Sequence, residues 1–385
     1  MFDLIIVGGG LAGASLAVAL RESRLSIALV EYHPPALPSG WDARIYAVSP
    51  ANAGFLAAIG AWEHLDHTRI ASIAAMDVRG DAGGQLIFSA EETGVPELGW
   101  IVESSRIACE LWESLKRQGN LTRFCPARPG AFAFTDNAVE LTLEDGQRLS
   151  GRLLIGADGR DSWVREQAGL QAITTPYHEQ GVVANFATEK PHGNVARQWF
   201  LENSVLAWLP LPGNRMSIVW STPDAEASSL LAASDEVLAE RVAAAGGYAL
   251  GALEPLTPAA AFPLKLIRVP RIVAHRLALV GDAGHGIHPL SGHGINLGFQ
   301  DARALAECLL TAPDWQDIGE EAFLRRYQRA RKEEILLLQT ATDRLRRLFR
   351  APPPLSFLRN RGLNLTHALP PLKNFLTRYA IGAAL

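Results

Sequence analysis

The sequence predicts an α/β fold that is α+β overall, because its two domains differ in their sheets. We expect a Rossmann-like domain first, a second domain built on a mainly antiparallel β-sheet, and a helical C-terminus. A short apolar run, a glycine-rich turn and an Ala/Leu-rich stretch open the chain as a βαβ unit. Alternating apolar stretches between residues 182 and 221, separated by Pro212-Gly213-Asn214, are typical of antiparallel strands. Amphipathic helical patterns fill the region after residue 294. At 385 residues the chain has room for two domains.

Composition narrows the classes of function. The chain is 48% hydrophobic and 20% charged, which indicates a globular protein. Its 36 basic and 40 acidic residues give a net charge of −4, so we expect no nucleic-acid partner. Three widely spaced cysteines predict neither a disulfide scaffold nor a zinc site and fit a reducing, cytoplasmic location. Asp3 stands where a secretory signal carries basic residues, so the apolar start is not interpreted as a leader.

The N-terminal unit carries a dinucleotide-binding fingerprint. Phe2 to Val7 is a buried-strand pattern, and Gly8, Gly10 and Gly13 follow with the spacing of the fingerprint. Leu11 and Ala12 open the next helix, whose N-terminal N–H groups can bind a pyrophosphate.

The second strand of this unit, Ser26 to Val30, ends at Glu31. A carboxylate here can accept hydrogen bonds from ribose hydroxyls and disfavours a ribose phosphate. The unit therefore predicts FAD or NAD rather than NADP as the ligand.

The central part of the chain mixes helical and strand patterns. We expect helices over Arg44 to Ala61 and Ile107 to Gln118, the latter capped by Ser104 and Ser105. Strands are predicted around a Gly83-Gly84 turn, and a hairpin over residues 144–146 leads to Gly156-Ala157-Asp158-Gly159.

A second glycine-rich region follows the strand pattern Leu277 to Val280. It begins with Gly281-Asp282 and continues through His288, Pro289, Gly292 and Gly294 to the start of a helix at Ile295 and Asn296. We call residues 288–294 the glycine-rich loop. Three histidines lie within nine residues here, but their irregular spacing predicts no metal site.

These motifs together resemble the flavoprotein aromatic hydroxylases of the p-hydroxybenzoate hydroxylase fold, and their order along the chain is the same. The resemblance implies that Asp282 contacts the ribityl chain of FAD and that the glycine-rich loop, with His288 and Pro289, lines the flavin. Asp158 and Gly159 would serve FAD and a transient NAD(P)H, and Arg44 would lie near the diphosphate. Ser104 stands where relatives often carry a polar amide that contacts FAD.

The chemistry of these residues is compatible with the implied roles but also with simpler structural ones. Glycines at 292 and 294 allow backbone to approach a flat ring, and N–H groups of Gly294, Ile295 and Asn296 can stabilise negative charge on reduced flavin. The alternatives are that Asn296 is only a helix cap, that Asp282 is only a turn residue, and that Arg44 is a solvated charge. Asp158 can cap a helix and serve the cofactor at the same time.

The loop sequence and the tail, Gly362 to Leu365 and Leu369 to Lys373, further resemble the ubiquinone-biosynthesis monooxygenases. This implies a single-component enzyme that uses NAD(P)H and O2 to hydroxylate the ring of a polyprenylated phenol or quinol through a C4a-hydroperoxyflavin. The rivals are a same-fold hydroxylase of a soluble aromatic, a prenyl reductase, and a non-catalytic FAD- or quinone-binding accessory protein of a biosynthetic complex.

Domain boundaries follow from the same patterns. We expect residues 1–70, 101–175 and 270–345 to form a discontinuous FAD-binding domain, and residues 71–100 and 176–269 to form the substrate-binding sheet domain. Residues 346–385 would form a basic amphipathic helical segment.

From Arg344 onwards the chain carries eight basic residues and no acidic one. This predicts either peripheral contact with anionic lipid on the inner face of the membrane, or apolar packing with solvated arginines.

Overall fold

The described part of the computed structural model comprises residues 1–288, 292, 294–349, 355–369 and 373–374. Within it the strands form three sheets, which we call the nucleotide sheet, the small sheet and the substrate sheet. The predicted combination of a parallel-strand unit with a large antiparallel sheet is confirmed.

The nucleotide sheet has the order β18-β19-β11-β1-β2-β8, with β10 and β9 added beside β11. Its central pairings are parallel, as in β1 with β11 and β2 and in β11 with β19. The bounds of its strands are β1 Phe2–Val7, β2 Ile27–Val30, β8 Leu121–Phe124, β9 Pro129–Phe134, β10 Val139–Leu143, β11 Arg148–Gly156, β18 Val273–Ala274 and β19 Leu277–Leu279.

The substrate sheet has the order β20-β17-β12-β15-β14-β13-β5-β6, with β16 beside β12. It is antiparallel except for the pair of β13 and β5. The bounds of its strands are β5 Ala75–Arg79, β6 Gln85–Ser89, β12 Ile173–Thr188, β13 Val195–Phe200, β14 Val205–Leu211, β15 Arg215–Pro223, β16 Leu253–Pro255, β17 Ala260–Arg268 and β20 His285–Gly286.

The small sheet and the helices complete the fold. The small sheet is antiparallel and contains β3 Ile45–Val48, β7 Gly99–Glu103 and β4 Ala71–Ile73. The helices are α1 Leu11–Ala19, α2 Pro50–Ala58, α3 Ala90–Thr93, α4 Ser104–Lys116, α5 Trp163–Gln167, α6 Asp224–Leu231, α7 Asp235–Ala245, α8 Gly294–Leu310, α9 Glu321–Phe349 and α10 Leu355–His367.

The predicted helix over Arg44 to Ala61 is wrong in its first part. Residues Ile45–Val48 form strand β3, paired with β7, and the helix begins only at Pro50. Proline is favoured in the first turn of a helix because its missing N–H would have no partner there. The four residues of β3 are half-buried or buried and gain backbone partners from β7, which decides in favour of the strand.

The two largest of the four hydrophobic clusters among the described residues lie on the two main sheets. One surrounds the nucleotide sheet and includes the fully buried Leu4, Ile155 and Phe299. The other lies under the substrate sheet, where α6 and α7 cover Trp208 and Phe186. No helix of the described chain combines the length and apolar character that a membrane span requires.

Candidate functional site

Four sequence motifs meet at one edge of the nucleotide sheet. In register, Val7 pairs with both Val30 and Gly156, and Gly156 pairs with Leu279. The chain segments that leave these parallel strands therefore start side by side: the glycine fingerprint, Glu31, Asp158-Gly159 and Gly281-Asp282. The carboxyl edge of a parallel sheet is where such folds bind their ligands.

Close backbone contacts explain why the fingerprint needs glycine. Gly8 has φ +106°, and a Cβ atom on it would lie 2.4 Å from the carbonyl oxygen of Ala157. A Cβ on Gly13 would lie 2.0 Å from the carbonyl oxygen of Gly8. The fingerprint turn is thus packed directly against the Asp158 segment.

The start of α1 is built like an anion site. Gly10 is the N-cap residue, with no side-chain cap, and a Cβ on it would meet no atom within 4 Å. The N–H groups at Leu11, Ala12 and Gly13 lie in the first turn, where helices leave such donors without intrahelical partners. These residues could hold a pyrophosphate.

The Glu31 carboxylate closes the other side of the turn. Its Oε2 accepts a hydrogen bond from the Gly9 N–H at 2.6 Å, and its Oε1 accepts from the N–H groups of Tyr32 at 2.7 Å and His33 at 3.1 Å. Since a carboxylate offers about four acceptor positions, Glu31 is oriented by the backbone and can still accept from a ribose hydroxyl.

The Gly281-Asp282 turn lies against the start of α1. A Cβ on Gly281 would be 3.1 Å from Cβ of Ala12, and one on Gly298 of α8 would be 3.5 Å from the same atom. Among the described residues no hydrogen bond to the Asp282 carboxylate is found, and this half-buried group lies within electrostatic range of Arg44.

Arg44 and Asp282 form a cluster with Tyr46 and Ser104. The Arg44 guanidinium lies 5.6 Å from the centroid of the Tyr46 ring, and the Tyr46 hydroxyl is within interaction range of both Arg44 and Ser104. Interaction with Tyr46 and the negative charge of Asp282 raise the pKa of Arg44, while burial raises the pKa of Tyr46, whose hydroxyl is therefore neutral at ordinary pH. Sequence reasoning missed Tyr46 because it assigned this segment to a helix, whereas in a strand Arg44 and Tyr46 lie on the same face.

The predicted caps of α4 are wrong in detail. The helix begins at Ser104, Glu103 is its N-cap, and no side-chain cap is formed. The Ser105 N–H instead donates to Oδ2 of Asp42 at 3.0 Å, and the Ser105 hydroxyl is buried without a partner in the described structure. An unpaired buried hydroxyl beside Ser104 is a further polar group for a ligand at this place.

Asp158 caps the start of helix α5, the structural role expected for it from the sequence. Its Oδ1 accepts a hydrogen bond from the Ser162 hydroxyl at 2.5 Å and its Oδ2 accepts from the Val164 N–H at 2.9 Å, at the start of α5. The adjacent Gly159 has φ +85°, and a Cβ on it would meet no atom within 4 Å, so the turn leaves its backbone accessible.

The Asn296 side chain forms hydrogen bonds to several neighbouring segments. Its Oδ1 accepts from the Ser49 N–H at 2.9 Å and from the Asn52 amide at 3.0 Å, and its Nδ2 donates to the carbonyl of Ala47 at 2.8 Å. This amide fixes α8 to the small sheet and α2.

The rest of the glycine-rich loop is only partly described. Gly292 has φ +63° and lies against Ala47, while Gly294 and Ile295 begin α8. A Cβ on Gly294 would meet no atom within 4 Å. Pro289 lies outside the described residues. His288 points to Glu179 of the substrate sheet, with its Nε2 3.3 Å from Oε2 of that carboxylate.

Within the described residues no group of three His, Cys, Asp or Glu side chains has the arrangement of a metal site. His285 pairs with Asp301, with 2.6 Å between its Nε2 and Oδ2.

An extended dinucleotide such as FAD fits this edge of the sheet. The edge offers an anion site at a helix start, a carboxylate placed for ribose, and the Arg44–Asp282 cluster. The sequence profile of the FAD binding domain family matches residues 1–338. The chain belongs to this family.

Curated relatives narrow the family. Ubiquinone hydroxylase UbiL of Rhodospirillum rubrum is 36% identical over 99% of this chain and 89% of the relative. The 3-demethoxyubiquinol 3-hydroxylase of Escherichia coli is 32% identical, covering 99% and 98%. The human mitochondrial ubiquinone biosynthesis monooxygenase COQ6 is 33% identical, covering 99% and 92%. The chain is therefore a member of the ubiquinone-biosynthesis monooxygenases and an FAD-dependent enzyme.

Solved structures agree on the fold. PqsL of Pseudomonas aeruginosa, a probable FAD-dependent monooxygenase, superposes with a TM-score of 0.79 at 23% identity, covering 95% of this chain and 100% of that chain. The p-nitrophenol 4-monooxygenase PnpA of Pseudomonas putida gives 0.81 at 16% identity, covering 100% and 99%.

Proposed function

We propose that the protein hydroxylates the ring of a polyprenylated phenol or quinol on the way to ubiquinone, with NAD(P)H and O2 as co-substrates. The observation that carries this proposal is the meeting of the four motifs at one sheet edge, in a chain that aligns along nearly its whole length with hydroxylases named for ubiquinone and its precursors. The discontinuous FAD-binding and substrate-binding domains expected from the sequence are part of the same proposal.

FAD would lie along this edge in an extended form. The turn from Gly8 to Gly10 and the first turn of α1 would hold the pyrophosphate, and Glu31 would accept hydrogen bonds from the adenosine ribose. Arg44 and Ser104 would contact the diphosphate region, with the Tyr46 side chain beside both of them.

The flavin end would lie between Asp282 and the glycine-rich loop. The Asp282 carboxylate would accept hydrogen bonds from ribityl hydroxyls, and Asp158-Gly159 would border the cofactor and a transient NAD(P)H. N–H groups at Gly294, Ile295 and Asn296 would face the pyrimidine part of the ring and stabilise its negative charge after reduction.

When bound, reduced FAD activates O2 and supplies the oxygen atom that enters the substrate ring. The chain itself would orient the two rings and exclude water from between them.

Product analysis tests this function. Purified protein with its released flavin identified would be incubated with NADH or NADPH, O2 and either a short-chain prenylated phenol or phenol itself. We expect FAD, not FMN, and a product heavier by one oxygen from the prenylated compound. Oxygenation of phenol alone would indicate a soluble aromatic substrate, and NAD(P)H oxidation without any oxygenated product would contradict the hydroxylase function.

We also propose that the enzyme meets its substrate at a lipid surface through one face of α9, with only some of the basic residues that the sequence suggested. Arg346 pairs with Glu179, Arg359 with Asp81, and Lys373 with Glu92. The expectation that these three cations face lipid or solvent is wrong, because acidic residues on β12, in the turn between β5 and β6, and on α3 neutralise them.

The exposed face of α9 remains suitable for lipid contact. Leu336, Leu337, Leu345 and Leu348 are 38–53% exposed, and Arg344 and Arg347 lie exposed among them. Apolar side chains next to cations are the composition of helices that lie on anionic bilayers.

Liposome sedimentation tests this contact. Replacing Leu337 and Leu348 by Asn should reduce binding to vesicles of anionic phospholipid without loss of FAD. Leu231→Asn with Val237→Asn is the matched control, because these two side chains are also exposed but lie on α6 and α7. Equal binding by both double variants, or none by the wild type, would contradict the proposed contact.

A further inference from the structure

A buried carboxylate and a buried imidazole face each other where the substrate sheet, the glycine-rich loop and α9 meet. The side chain of Glu179, on β12, is 2% exposed, and that of His288 is fully buried. Oε2 of Glu179 lies 3.3 Å from Nε2 of His288. Glu179 has no part in the FAD contacts proposed above, and His288 is the first residue of the loop proposed to border the flavin.

Strand β12 is bent at this point. Its register against β17 shifts between Pro176 and Glu179, and His178 has φ 55°. Such bulges are typical next to active sites, where they redirect side chains. Tyr177 and Glu179 are both buried here and both contact His288, the tyrosine ring at 5.1 Å between centroids.

The end of α9 fixes the carboxylate. Arg346 donates a hydrogen bond from Nε to Oε1 of Glu179 at 2.7 Å and a second one from Nη2. Its guanidinium also lies 4.2 Å from the centroid of the Tyr177 ring. Glu179 is therefore held between a permanent cation and an imidazole, and its second carboxylate oxygen faces the imidazole nitrogen.

A small pocket opens onto this pair. It is lined by Glu179, His288, Arg346 and Ser204 on its polar side and by Leu201, Val205 and Phe349 on its apolar side. It has room for about one water molecule. Its wall includes both ends of the turn between β13 and β14, whose middle residues 202 and 203 are exposed, so a proton on a pocket water has a short route to solvent.

The other charged groups around the pair come from three elements. On β12 the Tyr177 hydroxyl lies 3.3 Å from Oδ1 of Asp343 on α9. Burial and the nearby Asp343 raise the pKa of Tyr177, which therefore stays protonated at neutral pH. Arg268 on β17 is also within electrostatic range of Tyr177.

We propose that Glu179 and His288 form the acceptor for the proton of the substrate's ring hydroxyl, reached through one water in this pocket. The proposal rests on the proposed function, since it requires a phenol or quinol ring between the glycine-rich loop and the substrate sheet. The O–H bond of the phenol breaks, its electron pair stays on oxygen, and the proton passes to the water, which gives one of its own protons to the pair. No electron is gained or lost in this step.

This step makes the ring more reactive. A phenolate pushes electron density into the ring carbons, which are then attacked more readily by an electrophilic oxygen. After oxygen transfer the pair releases its proton to solvent beside the turn of residues 201–204. The carbon-bound proton of the attacked position is then lost to water and the ring oxygen takes up a proton, so that the ring regains its aromaticity.

Glu179→Gln and His288→Gln test the inference. The substrates are a short-chain 2-prenylphenol, whose hydroxyl pKa is about 10, and a ring-fluorinated analogue with a lower hydroxyl pKa. At pH 7 we expect each variant to hydroxylate the parent phenol roughly 100-fold more slowly than the wild type, with unchanged FAD content and flavin reduction by NAD(P)H. Glu254→Gln, an exposed carboxylate on β16, is the matched control and should leave the rate unchanged.

The measurement that distinguishes a catalytic from a structural role is whether the hydroxylation rate of the variants recovers when the substrate hydroxyl ionises more easily. The deficit should shrink at least tenfold with the fluorinated analogue, and also when the pH is raised from 7 to 9.5, because both supply phenolate without an internal acceptor. A deficit that is the same for both phenols and at all pH values would mean that the pair only supports the fold, and would overturn the inference, as would wild-type rates in both variants.

Two further outcomes are decisive. If the wild type oxygenates neither phenol, the proposed function fails, and the inference with it. If both variants lose FAD, the pH dependence of hydroxylation by the wild type decides. A rate that rises with pH as the free phenol ionises overturns the inference. A rate that is already maximal well below the pKa of the phenol supports it.

Discussion

The Asp301 carboxylate is expected to be the strongest single support of the Gly281-Asp282 turn. It is completely buried, its Oδ2 accepts from the Gly281 N–H at 2.9 Å and contacts Nε2 of His285 at 2.6 Å, and its Oδ1 accepts from Nε of Arg331 at 2.7 Å. Asp301→Asn keeps the shape of the side chain and removes its charge, leaving Arg331 buried without its main partner.

The expected loss follows from these contacts. Breaking a buried ion pair from one side costs about 3–5 kcal/mol. Because Nη1 of Arg331 also contacts Glu334, at 2.5 Å, we expect the lower end, about 3 kcal/mol. Urea unfolding of the FAD-loaded protein, followed by flavin and tryptophan fluorescence, measures this loss.

A double-mutant cycle provides the control. Asp301→Asn combined with Arg331→Met should be less destabilised than the two single variants added together, because the second change removes the unpaired cation. A loss below about 0.5 kcal/mol in Asp301→Asn, the range of ordinary surface substitutions, would refute the reasoning.

The same carboxylate predicts a pH dependence. Burial opposes ionisation of Asp301, but the attraction and hydrogen bonds of His285 and Arg331 outweigh it and lower its pKa. A lowered pKa stabilises the folded state at pH values above the unfolded value of about 3.9. This part of the stability is lost as the pH falls through the folded pKa, and the Asn variant should lack it.

Three further predictions concern the cofactor turn and the tail. Gly8→Ala should prevent FAD loading, measured as the flavin-to-protein absorbance ratio, because its Cβ would lie 2.4 Å from a backbone oxygen at φ +106°; a normally yellow variant would contradict this packing. Asp282→Ala should weaken FAD about 10- to 150-fold in fluorescence titration, the loss of one charge-assisted hydrogen bond of roughly 1.5–3 kcal/mol, and unchanged affinity would remove it from the site. Asn360→Ala should make the tail sensitive to limited proteolysis, since the Asn360 side chain accepts hydrogen bonds from the N–H groups of Ala82 at 3.2 Å and Gly84 at 2.9 Å. Asn364→Ala, which loses only the hydrogen bond from the Gln85 N–H, should have a smaller effect. Equal cleavage of both variants would argue against the Asn360 contact.

The meeting of the four motifs at one sheet edge could be predicted because its determinants are local. Gly8, Gly10 and Gly13 between a strand and a helix can be recognised from spacing, and parallel strands bring their carboxyl ends together whatever the rest of the chain does. The position of Glu31 after the second strand follows from the same rule. No long-range contact is needed to place these groups.

The segment after Arg44 could not be predicted in this way. Ile45–Val48 is a run of four apolar residues, too short to distinguish a strand from a buried helix by periodicity. Its pairing with β7, more than fifty residues later in the chain, decides the outcome. The error concealed Tyr46, because in a helix its side chain would not share a face with that of Arg44.

The tail was misjudged for a related reason. Its cations are a local pattern, but their partners are distant: Asp81, Glu92 and Glu179. A basic segment read alone has the same composition whether it faces lipid or acidic residues of the same protein. The difference is visible only in the folded chain.

Buried or partly buried acids on three different elements each hold an arginine of the last two long helices. Asp301 on α8 holds Arg331, and Glu179 on β12 holds Arg346. Asp81, in the turn between β5 and β6, holds Arg359 of α10.

The first of these contacts ties α9 to the cofactor turn and the other two tie α9 and α10 to the substrate sheet. Because removing one partner of a buried pair costs several kcal/mol, the helices act as a rigid brace between the two sheets. The fixed distance that oxygen transfer requires between a flavin ring and a substrate ring would then be set by charge pairs far along the chain from the fingerprint. This accounts for a C-terminal region that is rich in arginine although it contributes no residue to the proposed FAD contacts.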